Sequence, residues 1–341
     1  MIDINKENYE VKKRTLLVTG CCGFIGSCFT QKALEREFNI IGIDSETYAS
    51  RKVEFKPEMV FGGYQGYTKP FGEFKYIKED ICNSEHLPAV DYIVNFAAET
   101  HVDNSIINST KFLHSNVIGV HNLLELVRGK RAYERPVFIQ ISTDEVFGSI
   151  TNGSHLETDV LSPSNPYSAT KAAADMLVQA YGRTYDMPYM ILRPTNNYGL
   201  DQYPEKLIPK TIKFLTQGKK VPIHGKGLSR RTWLHIEDTA NAILTVIEKG
   251  NRNEIYNISG NIELTNIEVV NYIANTMVEK GIISKFENIN DICEYNYVRQ
   301  GEDVRYSLDD SKLRALGWSC KKDFYEEIEK IVTTQKIDYL W

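Results

Sequence analysis

The chain has 341 residues, of which 42% are hydrophobic, and its 40 Lys and Arg against 45 Asp and Glu give a net charge of -5. This balance disfavours a general nucleic-acid-binding protein, which would show a basic face. No apolar run reaches the roughly 18 to 20 residues that span a bilayer. The N-terminal segment is polar and lacks the apolar core that a secretory signal needs, so we expect a short arm before the first strand. The six cysteines show no CxxC pair and no metal-ligand spacing with histidine. We therefore expect free thiols, no metal site and a cytoplasmic location.

Short apolar segments alternate with helix-like segments through the first part of the chain. The expected strands are RTLLVTG (14–20), FNIIGID (38–44), VDYIVNFAA (90–98), the run at 136–142 and MPYMILRP, and the expected helices cover 24–37, 110–129 and 166–186. Residues 45–75 are rich in Gly, Tyr, Phe, Lys and Pro, which indicates a long surface excursion. The alternation predicts an α/β fold with a doubly wound parallel sheet covered by helices on both faces.

The pattern loosens after Pro194. A segment punctuated by Pro and Gly leads to a helix near 236–249, the strand EIYNISG and a helix near 266–280. We predict two domains: residues 1–195 carry the main sheet, with some later segments returning to it, and residues 196–341 form a smaller α/β domain that binds substrate.

The first strand ends in a GxxGxxG turn, Gly20 to Gly26. Glycines at these positions let the backbone approach a pyrophosphate, and the helix N-terminus that follows offers N–H donors. Asp44 ends the second strand, where an acid binds the ribose hydroxyls of NAD and disfavours the 2′-phosphate of NADP. The alternative is an ordinary glycine-rich turn with a strand-end Asp. We predict a Rossmann-type NAD site at Gly20, Gly23, Phe24, Ile25, Gly26 and Asp44, with Cys21 and Cys22 packed beneath the cofactor.

Tyr167 and Lys171 lie four residues apart in an expected helix, on one face. Tyrosine is a poor base at neutral pH, but a nearby ammonium and a bound nicotinamide cation favour its phenolate. The spacing alone is weak, because Tyr9 and Lys13 match it by accident.

From Arg14 to about Trp318 the chain resembles the extended short-chain dehydrogenases/reductases. The resemblance implies that Thr143 positions a sugar hydroxyl, Tyr167 removes its proton, and Lys171 holds both the tyrosine and the nicotinamide ribose.

Asp144 and Glu145 follow the strand at 136–142. The local interpretation is a helix cap, since Ser142 and Glu145 fit the S/T-x-x-E capping box. The run STDEVFG, however, resembles the STDEVYG of nucleotide-diphosphate-glucose 4,6-dehydratases. That resemblance implies that Asp144 is the general acid at C6 of glucose and Glu145 the base at C5, which gives a 4-keto-6-deoxy sugar and water.

Further motifs agree with this family. AAETHVDNSI resembles its AAESHVDRSI, and NNYG with YPEKLIP resembles its substrate loop. The resemblance implies cofactor contacts at Asp80, Ile81, Ala97 and Ala98, and substrate contacts at Thr100, His101, Asn196, Lys206, Leu207, Pro222, His224, Arg231, Asn266 and Arg299. Among the latter, it implies that Arg231 and Arg299 bind the phosphates and that His224 and Asn266 flank the base and ribose. Asp80 equally fits a strand-end turn, and the two arginines equally fit solvated surface charge. Gln300 and Glu302 depart from the family's usual RPGHD run.

Several features of the expected enzyme rest on this resemblance. It implies that NAD stays tightly bound and is regenerated in each turnover. Asn104 stands where an arginine is common in thymidine-type enzymes, and other motifs look more like the UDP-glucose 4,6-dehydratase domain of plant rhamnose synthases, which favours UDP-glucose with dTDP-glucose as the alternative substrate.

The same fold also serves nucleotide-sugar 4-epimerases and decarboxylases, and a non-catalytic NAD-binding scaffold is a third interpretation. The family usually forms homodimers through two helices per subunit. Here those are 110–129 and 166–186, whose apolar residues equally fit an intramolecular core: Leu123, Leu124, Leu126, Met176 and Leu177.

Overall fold

The computed structural model of the protein describes residues 13–51, 71–297 and 299–334. The predicted N-terminal arm through residue 12 and nearly all of the unassigned stretch 51–72 lie outside these residues. Among the helices described, none has the length and apolar character that crossing a membrane requires.

Seven parallel strands form the main sheet, in the order β3-β2-β1-β4-β5-β6-β10. They are β1 (Thr15–Thr19), β2 (Asn39–Asp44), β3 (Phe74–Lys78), β4 (Tyr92–Asn95), β5 (Val137–Ile141), β6 (Tyr189–Pro194) and β10 (Glu254–Ile258). The strand order reverses between β1 and β4, which is the point where doubly wound sheets bind ligands. The predicted Rossmann-type α/β fold is confirmed, and β10 is a later segment that returns to the main sheet.

Helices cover both faces of this sheet. They include α1 (Phe24–Glu35), α2 (Val102–Ile107), α3 (Thr110–Leu113), α4 (Gly119–Arg128), α5 (Pro166–Tyr185) and α7 (Ile236–Lys249). Successive strand residues point to opposite faces, so Leu16 and Val18 join the core beneath α1 and α7, while Leu17 joins the core beneath α4 and α5. Burial on both faces explains the nearly continuous apolar runs in the sequence.

The remaining elements surround a separate apolar cluster that includes Tyr198, Trp233 and Ile273. They are β7 (Asn196–Tyr198), α6 (Leu207–Thr216), β8 (Val221–His224), β9 (Arg230–His235), β11 (Ile262–Thr265), α8 (Asn266–Glu279), α9 (Ile289–Ile292), β12 (Cys293–Tyr297) and α11 (Phe324–Thr334). The short helix α10 (Ser311–Arg314) instead packs against β10, and its Leu313 belongs to the main-sheet core. The exact domain boundary at 195/196 stays a prediction.

Three local expectations need correction. The sequence analysis missed β3, whose burial pattern is half-buried to exposed because it is an edge strand. The helix expected over 110–129 contains a π-helical turn at His114–Ile118. Of the five apolar residues considered for a dimer face, Leu123 and Leu124 lie in the core, Leu126 and Leu177 pack against it, and Met176 is exposed.

Candidate active site

A cavity of about 420 Å³ opens at the carboxyl ends of the main-sheet strands. Its wall combines strand ends, such as Asp44 and Thr143, with residues of the later segments, such as Arg231 and Asn266. Every residue that the sequence analysis assigned to catalysis, cofactor or substrate lines this cavity. The fold therefore brings the predicted residues together, although their individual roles stay predictions.

The glycine turn forms one end of the cavity. Gly20 has φ +68°, and a Cβ there would lie 2.8 Å from the backbone nitrogen of Ala97. A Cβ on Gly26 would lie 2.1 Å from the carbonyl oxygen of Gly20, so a side chain at either position would disrupt the turn.

Asp44 is fixed beside this turn. Its carboxylate accepts hydrogen bonds from the Cys22 amide at 2.9 Å, the Glu46 amide at 2.8 Å and the Ser50 hydroxyl at 2.7 Å. A tight turn with a buried acid at the next strand end fits the pyrophosphate and ribose of a dinucleotide. Asp80 lines the cavity and also accepts the Cys82 amide, so it is a turn residue as well.

The two adjacent carboxylates begin a short 3₁₀ helix, Asp144–Phe147, directly after β5. The capping-box interpretation is wrong: Thr143, not Ser142, caps this helix, and its hydroxyl accepts the Glu145 amide at 3.3 Å. The same hydroxyl donates to Asp144 Oδ1 at 3.1 Å. Asp144 Oδ2 is buried and has no hydrogen-bond partner among the described residues, which leaves it available to a ligand.

Burial raises the pKa of both carboxyl groups, and neighbouring charges act on the two in opposite directions. Burial, and then the charge of Glu145, raise the pKa of Asp144 to about 7. Burial also raises the pKa of Glu145, but the charges of Arg231 and Lys206 oppose that shift. A protonated acid beside an ionised base is the arrangement that paired acid–base chemistry uses.

Tyr167 and Lys171 lie at the start of α5, and both are buried. Lys171 Nζ donates a 2.6 Å hydrogen bond to the carbonyl oxygen of Ile141, and burial lowers its pKa to about 8. The expected lowering of the Tyr167 pKa by Lys171 is not found. Burial, and then the charge of Glu145, instead raise the pKa of Tyr167. The hydrogen bond with the Thr143 hydroxyl opposes that shift but does not cancel it.

The basic residues expected to bind phosphates are already held by the protein. Arg231 donates to the carbonyl oxygens of Arg230 at 2.8 Å and Asp303 at 3.0 Å, and its guanidinium lies over the Tyr306 ring. The solvated-surface alternative is therefore wrong for Arg231, which is buried.

Arg299 makes two hydrogen bonds to Asp103, at 2.6 and 3.1 Å, and contacts His224 Nε2 at 3.1 Å. The Arg299 guanidinium is therefore paired with the Asp103 carboxylate and is not an unpaired phosphate-binding group.

Sequence analysis missed several residues that line the cavity. Tyr306 donates to Asp303 at 2.6 Å, and Lys210 follows Lys206 by one helical turn. Glu302 lines the cavity beside them. For Glu302 and Asp303 the signal was present, because both lie in the run at 299–303 that departs from the family pattern.

The fold and the site together define a dinucleotide-dependent enzyme of the extended short-chain dehydrogenase/reductase class. Within that class, the chain belongs to the GDP-mannose 4,6-dehydratase family, whose model matches residues 17–331.

The chain is similar over nearly its full length to known proteins. The low-salt glycan biosynthesis protein Agl12 of Haloferax volcanii is 38% identical over 324 residues, which cover 93% of this chain and 97% of that protein. The trifunctional UDP-glucose 4,6-dehydratase/UDP-4-keto-6-deoxy-D-glucose 3,5-epimerase/UDP-4-keto-L-rhamnose-reductase RHM3 of Arabidopsis thaliana is 39% identical over 93% of this chain and 46% of its own length.

A solved structure gives the same fold. DesIV, a dTDP-glucose 4,6-dehydratase from Streptomyces venezuelae crystallised with NAD bound, superposes with a TM-score of 0.82 at 34% identity. The match covers 94% of this chain and 96% of DesIV. The resemblance seen in the sequence motifs is confirmed.

Proposed function

We propose that the protein is an NAD-dependent hydro-lyase that converts a nucleoside-diphosphate glucose to its 4-keto-6-deoxy derivative and water. The observation that carries this proposal is the placement of Asp144 and Glu145 beside Thr143 and Tyr167 in one cavity. The activities named for RHM3 and DesIV support it.

The first step prepares C4 of the sugar. Thr143 holds the C4 hydroxyl and Tyr167 accepts its proton, while Lys171, anchored on Ile141, supports the tyrosine. Bound NAD supplies the hydride acceptor for C4, the positive charge that favours the Tyr167 phenolate, and the hydride that later reduces C6. Gly20, Gly26 and Asp44 hold that cofactor.

The second step removes water. A ketone at C4 makes the C5 proton acidic, and Glu145 takes it. Asp144 protonates the C6 hydroxyl, which leaves as water and creates a C5–C6 double bond. After C6 is reduced, Glu145 returns its proton to C5, Tyr167 releases to solvent the proton it took from the C4 hydroxyl, and Asp144 regains a proton from solvent, so all three groups return to their starting states. A pKa of about 7 lets Asp144 act as an acid near neutral pH.

A 4-epimerase of the same fold is the competing enzyme, and a decarboxylase or an NAD-binding scaffold is less well supported. Epimerisation gives the adjacent carboxylates no task, because oxidation and reduction both occur at C4. Incubation with UDP-glucose and with dTDP-glucose, followed by mass spectrometry, separates these functions. We expect a product lighter by one water. A product of unchanged mass would establish the epimerase, and no conversion of either donor would contradict the dehydratase and leave the decarboxylase or the scaffold.

We also propose a cytoplasmic homodimer that favours UDP-glucose. Apolar side chains at Leu113, Ile118 and Met176 are about half exposed on the helices that the family uses for dimers, and free cysteines suit a reducing compartment. Light scattering should give twice the chain mass for the wild type. It should give a monomer for Met176→Lys and a dimer for Val160→Lys, a matched exposed apolar position outside these helices.

A further inference from the structure

Glu302 places a carboxylate in a part of the cavity that is built for an anion. The usual family run is RPGHD, and Glu302 occupies the place of its histidine. The Ser229 hydroxyl donates a 2.7 Å hydrogen bond to Glu302 Oε1. No other hydrogen bond to this carboxylate is found within 13–51, 71–297 and 299–334, so it has acceptor capacity facing the cavity.

The neighbours of Glu302 fix its position along the substrate. The Ser229 carbonyl oxygen accepts a hydrogen bond from the Asn266 amide at 3.1 Å, so Ser229 links Glu302 to Asn266, the residue expected near base and ribose. Arg231 donates a hydrogen bond to the carbonyl oxygen of Asp303, the residue after Glu302, and Arg299 lies three residues before Glu302 in the chain. Glu302 is thus linked both to Asn266 and to the residues around the two arginines expected at the diphosphate, and the substrate group between base and diphosphate is the ribose.

The chemistry of a carboxylate limits which groups of the substrate Glu302 can bind. An ionised carboxylate repels phosphate and accepts hydrogen bonds only from donors. Between base and diphosphate, a ribonucleotide offers two such donors, the 2′- and 3′-hydroxyls, whereas a deoxyribonucleotide offers the 3′-hydroxyl alone. The same chemistry is expected of Asp44 at the ribose of NAD.

We propose that Glu302, held by Ser229, accepts hydrogen bonds from the ribose hydroxyls of the substrate and selects ribonucleoside-diphosphate sugars over 2′-deoxyribonucleoside-diphosphate sugars. This inference rests on the proposed function and deepens it. On this inference, the site distinguishes UDP-glucose from dTDP-glucose mainly by the 2′-hydroxyl of the ribose and much less by the methyl group of the base.

Four substrates test the effects of the 2′-hydroxyl and of the 5-methyl group separately: the diphosphate glucoses of uridine, 2′-deoxyuridine, 5-methyluridine and thymidine. For the wild type we expect kcat/KM to fall roughly 10- to 100-fold on loss of the 2′-hydroxyl, with either base, because a hydrogen bond to a charged group is lost. The 5-methyl group should change kcat/KM much less. Glu302→Gln keeps a neutral acceptor and should reduce the ribose preference to roughly 2- to 10-fold. Glu302→Ala should abolish it. Glu287→Gln, which removes an exposed acid outside the cavity, should keep the wild-type preference.

Binding of UDP and 2′-deoxy-UDP, measured by calorimetry, gives a readout that does not depend on turnover. Wild-type binding with no ribose preference would overturn the inference, as would an equal loss for all four donors in Glu302→Ala, which would indicate a contact to the base. If no donor loses water but UDP binds more tightly than 2′-deoxy-UDP, the proposed reaction fails and the ribose contact stands. Glu302→His, which restores the usual family residue, should also lose the preference and guards against misfolding of the alanine variant.

Discussion

Arg193 on β6 and Asp175 on α5 form a buried ion pair, with Nε 3.0 Å from Oδ2 and both side chains at most 1% exposed. The Arg193 guanidinium also lies 4.7 Å from the centre of the Phe147 ring. Asp175 follows Lys171 by one helical turn, and Phe147 follows Glu145 by two residues. This pair therefore joins the helix that carries Tyr167 to the segment that carries the carboxylates.

Asp175→Asn should destabilise the fold strongly. The variant leaves the Arg193 charge buried without its counter-ion, which costs about 3 to 5 kcal/mol of the free energy of unfolding. Urea unfolding measures the difference. Lys280→Gln, which breaks the exposed pair with Glu329, is the control and should change stability little. Equal effects of the two variants would show that the buried pair is not a structural anchor.

Glu145→Gln and Asp144→Asn should stall the reaction at the same stage but differ in proton exchange. Both should accumulate reduced nicotinamide absorbance without loss of water. In D₂O, Asp144→Asn should exchange the C5 proton of the bound sugar, because Glu145 is intact, whereas Glu145→Gln should not. Mass spectrometry of the recovered sugar detects the deuterium. Full turnover by Glu145→Gln would contradict its role as the base at C5.

The acid role of Asp144 predicts a pH dependence. Its pKa is raised to about 7, so the protonated acid is lost, and water elimination slows, as the pH rises through about 7. Single-turnover rates of water release across this range test the expectation. A rate that stays constant up to a markedly higher pH would exclude Asp144 as the acid.

The same shift makes a prediction about stability. A carboxyl group whose folded pKa lies above its unfolded value of roughly 3.9 stabilises the fold when protonated. That contribution is complete below about pH 4 and is lost as the pH rises through about 7. Asp144→Asn is neutral at every pH, so its stability relative to the wild type should increase between these limits. Urea unfolding at several pH values would show no such trend if Asp144 were ionised throughout.

Tyr167→Phe should block the reaction before the cofactor is reduced. Removing the group that accepts the C4 hydroxyl proton should lower turnover roughly 100- to 10,000-fold, with no reduced nicotinamide and no C5 exchange. Tyr181→Phe, on the same helix but outside the cavity, removes a hydroxyl that donates to Glu125 and should keep normal turnover. Accumulation of reduced cofactor in Tyr167→Phe would contradict the assigned role.

The sequence by itself determined the order of the main-sheet strands, apart from β3, and of the helices between them, together with the residue types at the strand ends. Apolar runs such as VFIQI record burial on both faces of a sheet, and the turn Gly20 to Gly26 records a local backbone requirement, so both are readable without a structure. The edge strand β3 was not predicted, because it is partly exposed and its sequence therefore lacks a clear apolar pattern.

Only the tertiary structure decided how side chains distant in the chain act on one another. The pairing of Arg299 with Asp103 joins residues 196 positions apart, and the hydrogen bond from Ser229 to Glu302 joins residues 73 positions apart. The raised pKa of Tyr167 likewise depends on burial and on Glu145 across the cavity. Charge interactions and desolvation depend on distance in space, which strand register and helix packing set and which no local pattern records.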